Sequence, residues 1–194
     1  MPDNRQLTHQ EHQQTGIKFP LSLIANDIND PLNVGGLFRL SDALGIDTLY
    51  LCGETPTPPN AKIKKTSRST EKDVTFKYQA DAEALASTLK ISGVLIVSLE
   101  LSSSSVSINS ETFAEAIKNN RPLCLVLGSE NTGVSEALLE LSDITVHIPM
   151  HGANSSMNIV SATAIACFEI TRMLEDGHHP AWPAVNDSGS GHQR

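Results

Sequence analysis

Short apolar runs alternate with amphipathic segments along most of the chain. Runs rich in Leu, Ile and Val predict buried strands at residues 21–25, 47–52, 93–99, 123–127 and 144–148. Apolar residues recurring at helical spacing predict helices at residues 33–45, 80–90, 110–119, 134–141 and 158–174. Because strands and helices take turns, the pattern predicts an α/β fold built on a parallel sheet.

The first predicted helix lies between Asn33, in the position of an N-cap, and Gly45, a favourable helix stop. Arg39 follows in the middle of this helix. On these residues alone, two interpretations are equally good. Asn33 and Arg39 form either a helix cap with an ordinary surface arginine or a functional pair.

The length of 194 residues favours a single domain with tails. Composition divides the chain into a polar N-terminal arm at residues 1–16, a domain at residues 17–176 and a flexible C-terminal tail at residues 177–194. His9 and His12 are interpreted as solvated, since no second cluster of ligands accompanies them, and we expect no metal. In the tail, only Trp182 is a candidate for docking against the domain.

The net charge of −8 argues against nucleic-acid binding by the surface as a whole, so any such site must be a local basic patch or one built across a dimer. One basic cluster follows the proline-rich residues 55–59, and it consists of Lys62, Lys64, Lys65, Arg68 and Lys72. Neighbouring Ser and Thr residues add hydroxyl donors. The cluster therefore suits a phosphate backbone, with a solvated charged loop as the alternative.

The three cysteines, Cys52, Cys124 and Cys167, lie in apolar surroundings without metal-ligand spacing. This pattern predicts reduced core residues. No apolar run is long enough to span a bilayer, and no signal peptide opens the chain. We therefore expect a cytoplasmic protein.

The predicted strands at residues 123–127 and 144–148 each end in a loop of small and polar residues, at 128–133 and 149–156. Two such strand ends side by side in an open sheet predict a crevice for a nucleotide-like ligand. The first loop lacks the Lys-Ser/Thr pair of a P-loop, and no GxGxxG follows the first strand. We therefore expect an adenosine-bearing ligand that is held mainly by loop backbone.

Three short motifs stand out in the sequence. The first runs from Asn33 to Arg39 and reads N-x-G-x-x-x-R. The second is LGSENTGVS at residues 127–135, which contains G-x-E-x-x-G-[LV]-S. The third is IPMHG followed by SMNI within residues 148–159, which is close to I-P-M-x-G and S-L-N-V. The three resemble the motifs of the SpoU/TrmH family of SPOUT methyltransferases and occur in family order, and chance does not explain that agreement.

The resemblance implies a parallel-sheet SPOUT fold with helices on both faces and a C-terminal trefoil knot, which pattern alone does not reveal. It further implies a homodimer that uses S-adenosylmethionine (SAM) to methylate a ribose 2′-hydroxyl of RNA. No separate N-terminal RNA-binding domain precedes the first motif, which favours tRNA over rRNA. Three alternatives stay open: an rRNA 2′-O-methyltransferase, a non-catalytic homologue that binds RNA or the donor, and a nucleotide-binding oxidoreductase that the missing GxGxxG disfavours.

The resemblance also assigns roles to residues. The candidate catalytic residues are Arg39, Asn33, Glu130, Ser156 and Asn158. The candidate SAM-binding residues are Leu99, Gly128, Ile148, Met150, Ser156 and Met157. The candidate RNA-binding residues are Lys64, Lys65, Arg68 and Arg172.

Arg39 is the family's candidate for activating the ribose hydroxyl, with Asn33 holding Arg39 or the ribose in place. Because arginine stays protonated at neutral pH, we expect Arg39 to bind the target phosphate and stabilise the forming alkoxide rather than accept a proton. We expect position 128 to require glycine, because a side chain there would collide with the ligand.

Three other positions carry alternatives or departures. Glu130 either contacts substrate or only braces its loop by accepting from backbone N–H groups. Arg172 is a lone arginine on the last predicted helix, and a purely solvated side chain is the alternative there. Val160 stands where the family often has a second Ser, and this affects the substrate side of the site rather than donor binding.

Overall fold

The computed structural model describes residues 4–6, 8, 11, 15–118, 121–153 and 156–175. Within these residues, seven strands form one sheet in which every hydrogen-bonded pair is parallel, so the predicted α/β fold with a parallel sheet is confirmed. The order across the sheet is β3-β2-β1-β6-β4-β7-β5. The strands are β1 (Phe19–Asn26), β2 (Ile46–Cys52), β3 (Phe76–Gln79), β4 (Leu95–Leu99), β5 (Val106–Ser107), β6 (Leu123–Leu127) and β7 (Ile144–His147).

Helices cover both faces of this sheet, as the resemblance implies. One apolar core packs the first, second, fourth and sixth helices against the strands, and the other core packs the third and fifth. The helices are α1 (Pro31–Ala43), α2 (Ala61–Ser67), α3 (Ala82–Ile91), α4 (Glu111–Ile117), α5 (Glu136–Leu141) and α6 (Ile159–Glu175). Most predicted element ends differ from these bounds by a residue or two, the usual uncertainty of helix and strand ends.

Strand β6 illustrates the two-sided core. Every residue of β6 is buried. Leu123, Leu125 and Leu127 belong to one core, whereas Cys124 and Val126 belong to the other. A strand that is covered on both faces gives a continuous apolar run, which explains why the sequence locates this strand so well.

Helix α1 begins earlier than the sequence predicts. Asp30 is its N-cap, because the Asp30 carboxylate accepts a hydrogen bond from Leu32 N at 2.9 Å. Pro31 takes the first helical position, where its missing N–H costs nothing. Asn33 therefore lies inside the first turn, and the prediction that it caps the helix is wrong.

The basic cluster is largely helical, which differs from the charged loop that is the alternative interpretation of these residues. Lys62, Lys64 and Lys65 lie on α2, which Asn60 caps by accepting hydrogen bonds from Lys62 N at 2.9 Å and Ile63 N at 3.3 Å. Arg68 ends the helix in a left-handed conformation, with φ of 55°. The cationic side chains therefore project from a fixed element.

The strand pattern is also incomplete in two respects. Strands β3 and β5 lie at the two edges of the sheet and are not predicted, because neither contains a buried residue. In addition, β4 lies between β6 and β7. The ends of β6 and β7, which the sequence predicts to be adjacent, are therefore separated by β4. The end of β4 lies between them at the same edge of the sheet.

Other sequence predictions concern cysteines, membrane spans and the tails. Cys52, Cys124 and Cys167 are buried free thiols, as predicted, and burial raises the pKa of each to about 12. Among the described residues, no helix is long and apolar enough to cross a membrane. The predictions for His9, His12 and Trp182 lie outside the described residues. The proposed domain boundaries stay predictions.

Candidate active site

A crevice of about 560 Å³ opens where β4, β6 and β7 end. Glu130 and Asn158 line it, together with all six residues assigned to SAM binding: Leu99, Gly128, Ile148, Met150, Ser156 and Met157. The carboxyl ends of parallel strands are the usual ligand site of open α/β sheets. The structure thus brings the predicted donor-binding residues together, while their individual roles stay predictions.

The loop at residues 128–133 folds back on itself at the crevice wall. Ser129 N donates to Gly133 O at 3.1 Å, and Gly133 N donates to Ser129 O at 2.9 Å. A Cβ on Gly128 would lie 2.1 Å from the carbonyl carbon of Gly133 and 2.2 Å from Val134 N. The loop's own backbone therefore already requires glycine at position 128, while the expected collision of a side chain with the ligand stays a prediction.

A chain of side-chain hydrogen bonds connects the three motifs. Asn158 Nδ2 donates to Asn33 Oδ1 at 3.0 Å, and Asn33 Nδ2 donates to Glu130 Oε1 at 2.9 Å. The other Glu130 oxygen accepts from Asn29 N at 3.2 Å. Glu130 thus braces the entry to α1, through one backbone N–H and one side chain, rather than its own loop. Its contact with substrate stays a prediction.

The N-terminus of α6 sets the direction of the hydrogen bonds that connect Asn158, Asn33 and Glu130. Asn158 Oδ1 accepts from Val160 N at 2.9 Å and from Ser161 N at 3.3 Å, so it acts as a helix cap. The Asn158 amide is therefore oriented with its NH2 group towards Asn33. The Asn33 oxygen accepts that bond, and its NH2 group then needs an acceptor, which the Glu130 carboxylate supplies.

Two adjacent glycines let α1 approach both of its neighbouring helices. A Cβ on Gly35 would lie 2.7 Å from the Ile63 carbonyl oxygen of α2. A Cβ on Gly36 would lie 2.8 Å from a methyl carbon of Val160 at the start of α6. Helix α1 therefore packs between α2 and the start of α6, and Val160 fills the space beside Gly36.

Arg39 is exposed and forms no hydrogen bond or ion pair with the part of the chain that the structure describes. Asn33 does not hold it, because both polar atoms of the Asn33 amide bind Glu130 and Asn158. Six helical residues separate Asn33 from Arg39 by about 9 Å along the axis and about 120° around it. The expected contact between them is therefore not formed.

The four predicted RNA-binding residues have different surroundings. Lys64, Lys65 and Arg68 are exposed at α2 and its end. Arg172 donates to both carboxylate oxygens of Glu169, at 3.1 and 2.6 Å. This pairing lowers the pKa of Glu169 through the hydrogen bonds and the nearby positive charge, and it occupies the Arg172 guanidinium.

Comparison with known proteins identifies the family. The sequence model of the SpoU rRNA Methylase family matches residues 20–168, which is most of the chain. The chain belongs to this family. The resemblance read from the three motifs is thereby confirmed. The C-terminal trefoil knot stays a prediction.

Individual SpoU relatives agree with this assignment. The 23S rRNA (guanosine-2′-O-)-methyltransferase RlmB of Blochmanniella floridana is 29% identical over 153 residues, which are 79% of this chain and 58% of the relative. The TrmH/SpoU tRNA modifying enzyme of A. aeolicus is 27% identical with a TM-score of 0.70, over 81% of this chain and 76% of that one. An AdoMet-bound rRNA methyltransferase from Sinorhizobium meliloti is 25% identical with a TM-score of 0.71, over 79% and 56%. The chain spans a little more than half the length of the curated relatives it matches.

Two crevice residues of this SpoU chain are missed by the sequence reasoning. Glu100 directly follows β4, and its Oε2 accepts from Val134 N at 3.1 Å. His147 ends β7, and its Nδ1 lies 2.9 Å from Ser105 Oγ, which also lies 2.8 Å from Ser102 O. Neither residue belongs to a motif, and the only available signal is that each ends an apolar strand pattern.

The described residues contain no group of three or more His, Cys, Asp or Glu side chains that could hold a metal ion. The predicted absence of a metal stays a prediction. The polar side chains that line the crevice belong to Glu100, Ser129, Glu130, His147, Ser156 and Asn158.

Proposed function

We propose that the protein transfers the methyl group of SAM to a ribose 2′-hydroxyl of RNA, with tRNA as its substrate, as a cytoplasmic homodimer. One observation carries this proposal. The hydrogen bonds from Glu130 through Asn33 to Asn158 join the three SpoU motifs beside a crevice at the strand ends. The family's curated and solved relatives named above are RNA methyltransferases or RNA-modifying enzymes, which supports the reaction class.

The crevice fits a molecule of the size and character of SAM. Its volume of about 560 Å³ lies within the range of about 300–1,000 Å³ that is typical of small-molecule sites. Leu99, Ile148 and Met150 would provide an apolar wall for the adenine, and Gly128 lines the same crevice. When bound there, SAM supplies a methyl group already activated by its positive sulfonium.

Methyl transfer then needs little further chemistry from the protein. The ribose oxygen forms a bond to the methyl carbon while the sulfur–carbon bond breaks, and the hydroxyl proton leaves to water or phosphate. The protein's task is to position the two reactants and stabilise the developing negative oxygen. Arg39 would perform the second task, since its guanidinium has no competing partner among the described residues.

The basic surface beside α1 is the proposed RNA-binding site. Between residues 61 and 77, six lysines and arginines and two acidic residues give a net charge of +4, in a chain of net charge −8. Gly35 brings α2 into direct contact with α1, so this charge lies next to the helix that carries Arg39. A local positive surface of this kind attracts phosphate backbones.

The exposed apolar face of α6 supports the proposed homodimer. Phe168 and Ile165 are 63% and 45% exposed, which is unusual for large apolar side chains on a helix. They share a groove with Pro149 and Ile148, and Ile148 also lines the crevice. A second copy seated on this groove would therefore border the crevice. Sedimentation of Phe168→Glu, compared with the wild-type protein, tests this contact.

The reaction is tested by incubating the protein with SAM labelled in its methyl group and with purified tRNA or rRNA. We expect label in tRNA at a ribose that becomes resistant to alkaline cleavage. Transfer to rRNA alone would favour an rRNA 2′-O-methyltransferase, the second candidate function, which the name of the RlmB relative supports. Donor binding without transfer to either RNA would favour a non-catalytic homologue.

Arg39→Ala supplies the variant test of this mechanism. We expect transfer to be abolished while SAM affinity stays within a few fold of wild type, because Arg39 acts on the substrate side. Asp42→Ala is the matched control, since Asp42 is exposed on the same helix. Equal loss of donor binding in Arg39→Ala would contradict the assigned role.

A further inference from the structure

We infer that Glu100 binds the two adjacent ribose hydroxyls of the methyl donor. The inference rests on the proposed function, because it places SAM in the crevice. Glu100 follows β4, the strand between β6 and β7, and lines the crevice as a half-buried side chain. Among the described lining residues, the other carboxylate is Glu130, which is already bonded to Asn29 and Asn33.

Both oxygens of Glu100 are held by backbone N–H groups. Oε1 accepts from Leu101 N at 2.8 Å, and Oε2 accepts from Val134 N at 3.1 Å. The close approach to the loop depends on Gly133, because a Cβ there would lie 2.3 Å from Oε2. The carboxylate is therefore fixed in position at the crevice wall.

This arrangement leaves a matched pair of acceptor positions. A carboxylate offers about four acceptor positions, two on each oxygen. The bonds from Leu101 and Val134 use one on each oxygen, so one position per oxygen remains. The 2′- and 3′-hydroxyls of a ribose are two neighbouring donors, and they match this pair.

The ribose is a better partner for Glu100 than the sulfonium. A carboxylate beside the sulfonium would stabilise the charged donor more than the transition state, in which that charge is being lost, and would slow transfer. In addition, Glu100 holds the Val134 end of the loop, whereas Glu130 is bonded to Asn29 and Asn33 at the start of α1. The reacting methyl belongs on the α1 side.

The test uses S-adenosylhomocysteine and its 2′-deoxy and 3′-deoxy analogues as ligands, with affinities measured by titration calorimetry. We expect each deoxy analogue to bind the wild-type protein at least about tenfold more weakly, the size of a hydrogen bond to a charged group. In Glu100→Ala the difference should fall below about twofold. A purely structural role would weaken all three ligands alike, so the ratio is the decisive quantity.

Glu83→Ala is the matched control. Glu83 accepts from Ser135 Oγ at 3.3 Å, just beyond the same loop, but does not line the crevice. This variant should retain the full discrimination of wild type. If Glu100→Ala binds too weakly to measure, Glu100→Gln provides the comparison, because it keeps one acceptor oxygen and should lose discrimination at one hydroxyl.

Two results would overturn the inference, and they are distinguishable. Unchanged discrimination in both Glu100 variants would remove Glu100 from ribose binding and leave the proposed methyltransferase function intact. Failure of the wild-type protein to bind S-adenosylhomocysteine would instead refute the donor assignment itself, and Glu100 with it.

Discussion

The direction of the Asn158–Asn33–Glu130 chain can be reversed by two substitutions, and this provides a strict test of the network. Asn158→Asp keeps the oxygen that caps α6, but it replaces the donor facing Asn33 with an acceptor. Turning the Asn33 amide over then places its oxygen against the Glu130 carboxylate. Adding Glu130→Gln supplies a donor for that oxygen, while the glutamine oxygen still accepts from Asn29 N.

The magnitude follows from the exposure of these side chains. A buried polar group left without a partner costs about 1–3 kcal/mol. Asn33 is only half-buried and Glu130 and Asn158 line an open crevice, so water competes for each group. We therefore expect each single variant to lose about 1 kcal/mol, at the lower end of that range. The double variant should lie close to wild type, with a coupling of about 1–2 kcal/mol.

The assay is urea denaturation, which measures the free energy of unfolding independently of catalysis. Asn158→Asp combined with Glu140→Gln is the control, because Glu140 is exposed and outside the network but removes the same charge. We expect no coupling in that pair. If the free energy of unfolding lost by the Asn158→Asp/Glu130→Gln double variant equals the sum of the two single losses, the three side chains do not form an oriented series of hydrogen bonds.

Three further predictions follow from the packing, charge and thiols of the described residues. Lys64→Gln with Lys65→Gln should weaken RNA binding and reduce its salt dependence in a filter-binding assay, whereas Lys118→Gln on α4's end should change neither. Gly36→Ala should lower the free energy of unfolding by about 1 kcal/mol, because the added Cβ meets Val160. Adding Val160→Ala should restore the lost stability, and a single Gly36→Ala variant as stable as wild type would contradict the prediction. The three buried thiols should resist alkylation until the protein unfolds. The folded pKa of each thiol, about 12, exceeds the ordinary value of 9.0. The free energy of unfolding should therefore fall as pH rises from about 9 to about 12. A free energy of unfolding that stays constant over this range would contradict the prediction.

The sequence predicts the site better than it predicts the surface around it. Strands such as β6 are buried on both faces, so their pattern is unmistakable. Strand β3 is a short edge strand without a buried residue, and α2 has only seven residues, many of them charged. Neither β3 nor α2 has enough apolar periodicity for local pattern to identify it. The stability of α2 comes from packing against α1, and that of β3 comes from pairing with β2.

Contacts between distant residues account for the remaining errors. On the sequence alone, Asn33 is either a helix cap or a functional partner of Arg39. Its bonds to Glu130 and Asn158 instead join positions about a hundred residues away. The need for glycine at position 128 likewise arises from the loop folding back on Gly133. Strand order is a further tertiary property, so the placement of β4 between β6 and β7 cannot be read from alternation alone.

The spacing of the first motif has a physical explanation in helix geometry. Arg39 follows Gly35 by four residues and Gly36 by three, so it lies about 40° and about 60° around the helix from them, one turn further on. Gly35 contacts α2 and Gly36 contacts α6, so Arg39 lies between those two directions, beyond both contacts. An RNA bound with its phosphates on α2 and its ribose in the crevice would therefore pass Arg39. The glycines allow the close contacts with the two helices, Asn33 ties the first turn of α1 to Glu130 and Asn158, and Arg39 has no partner among the described residues.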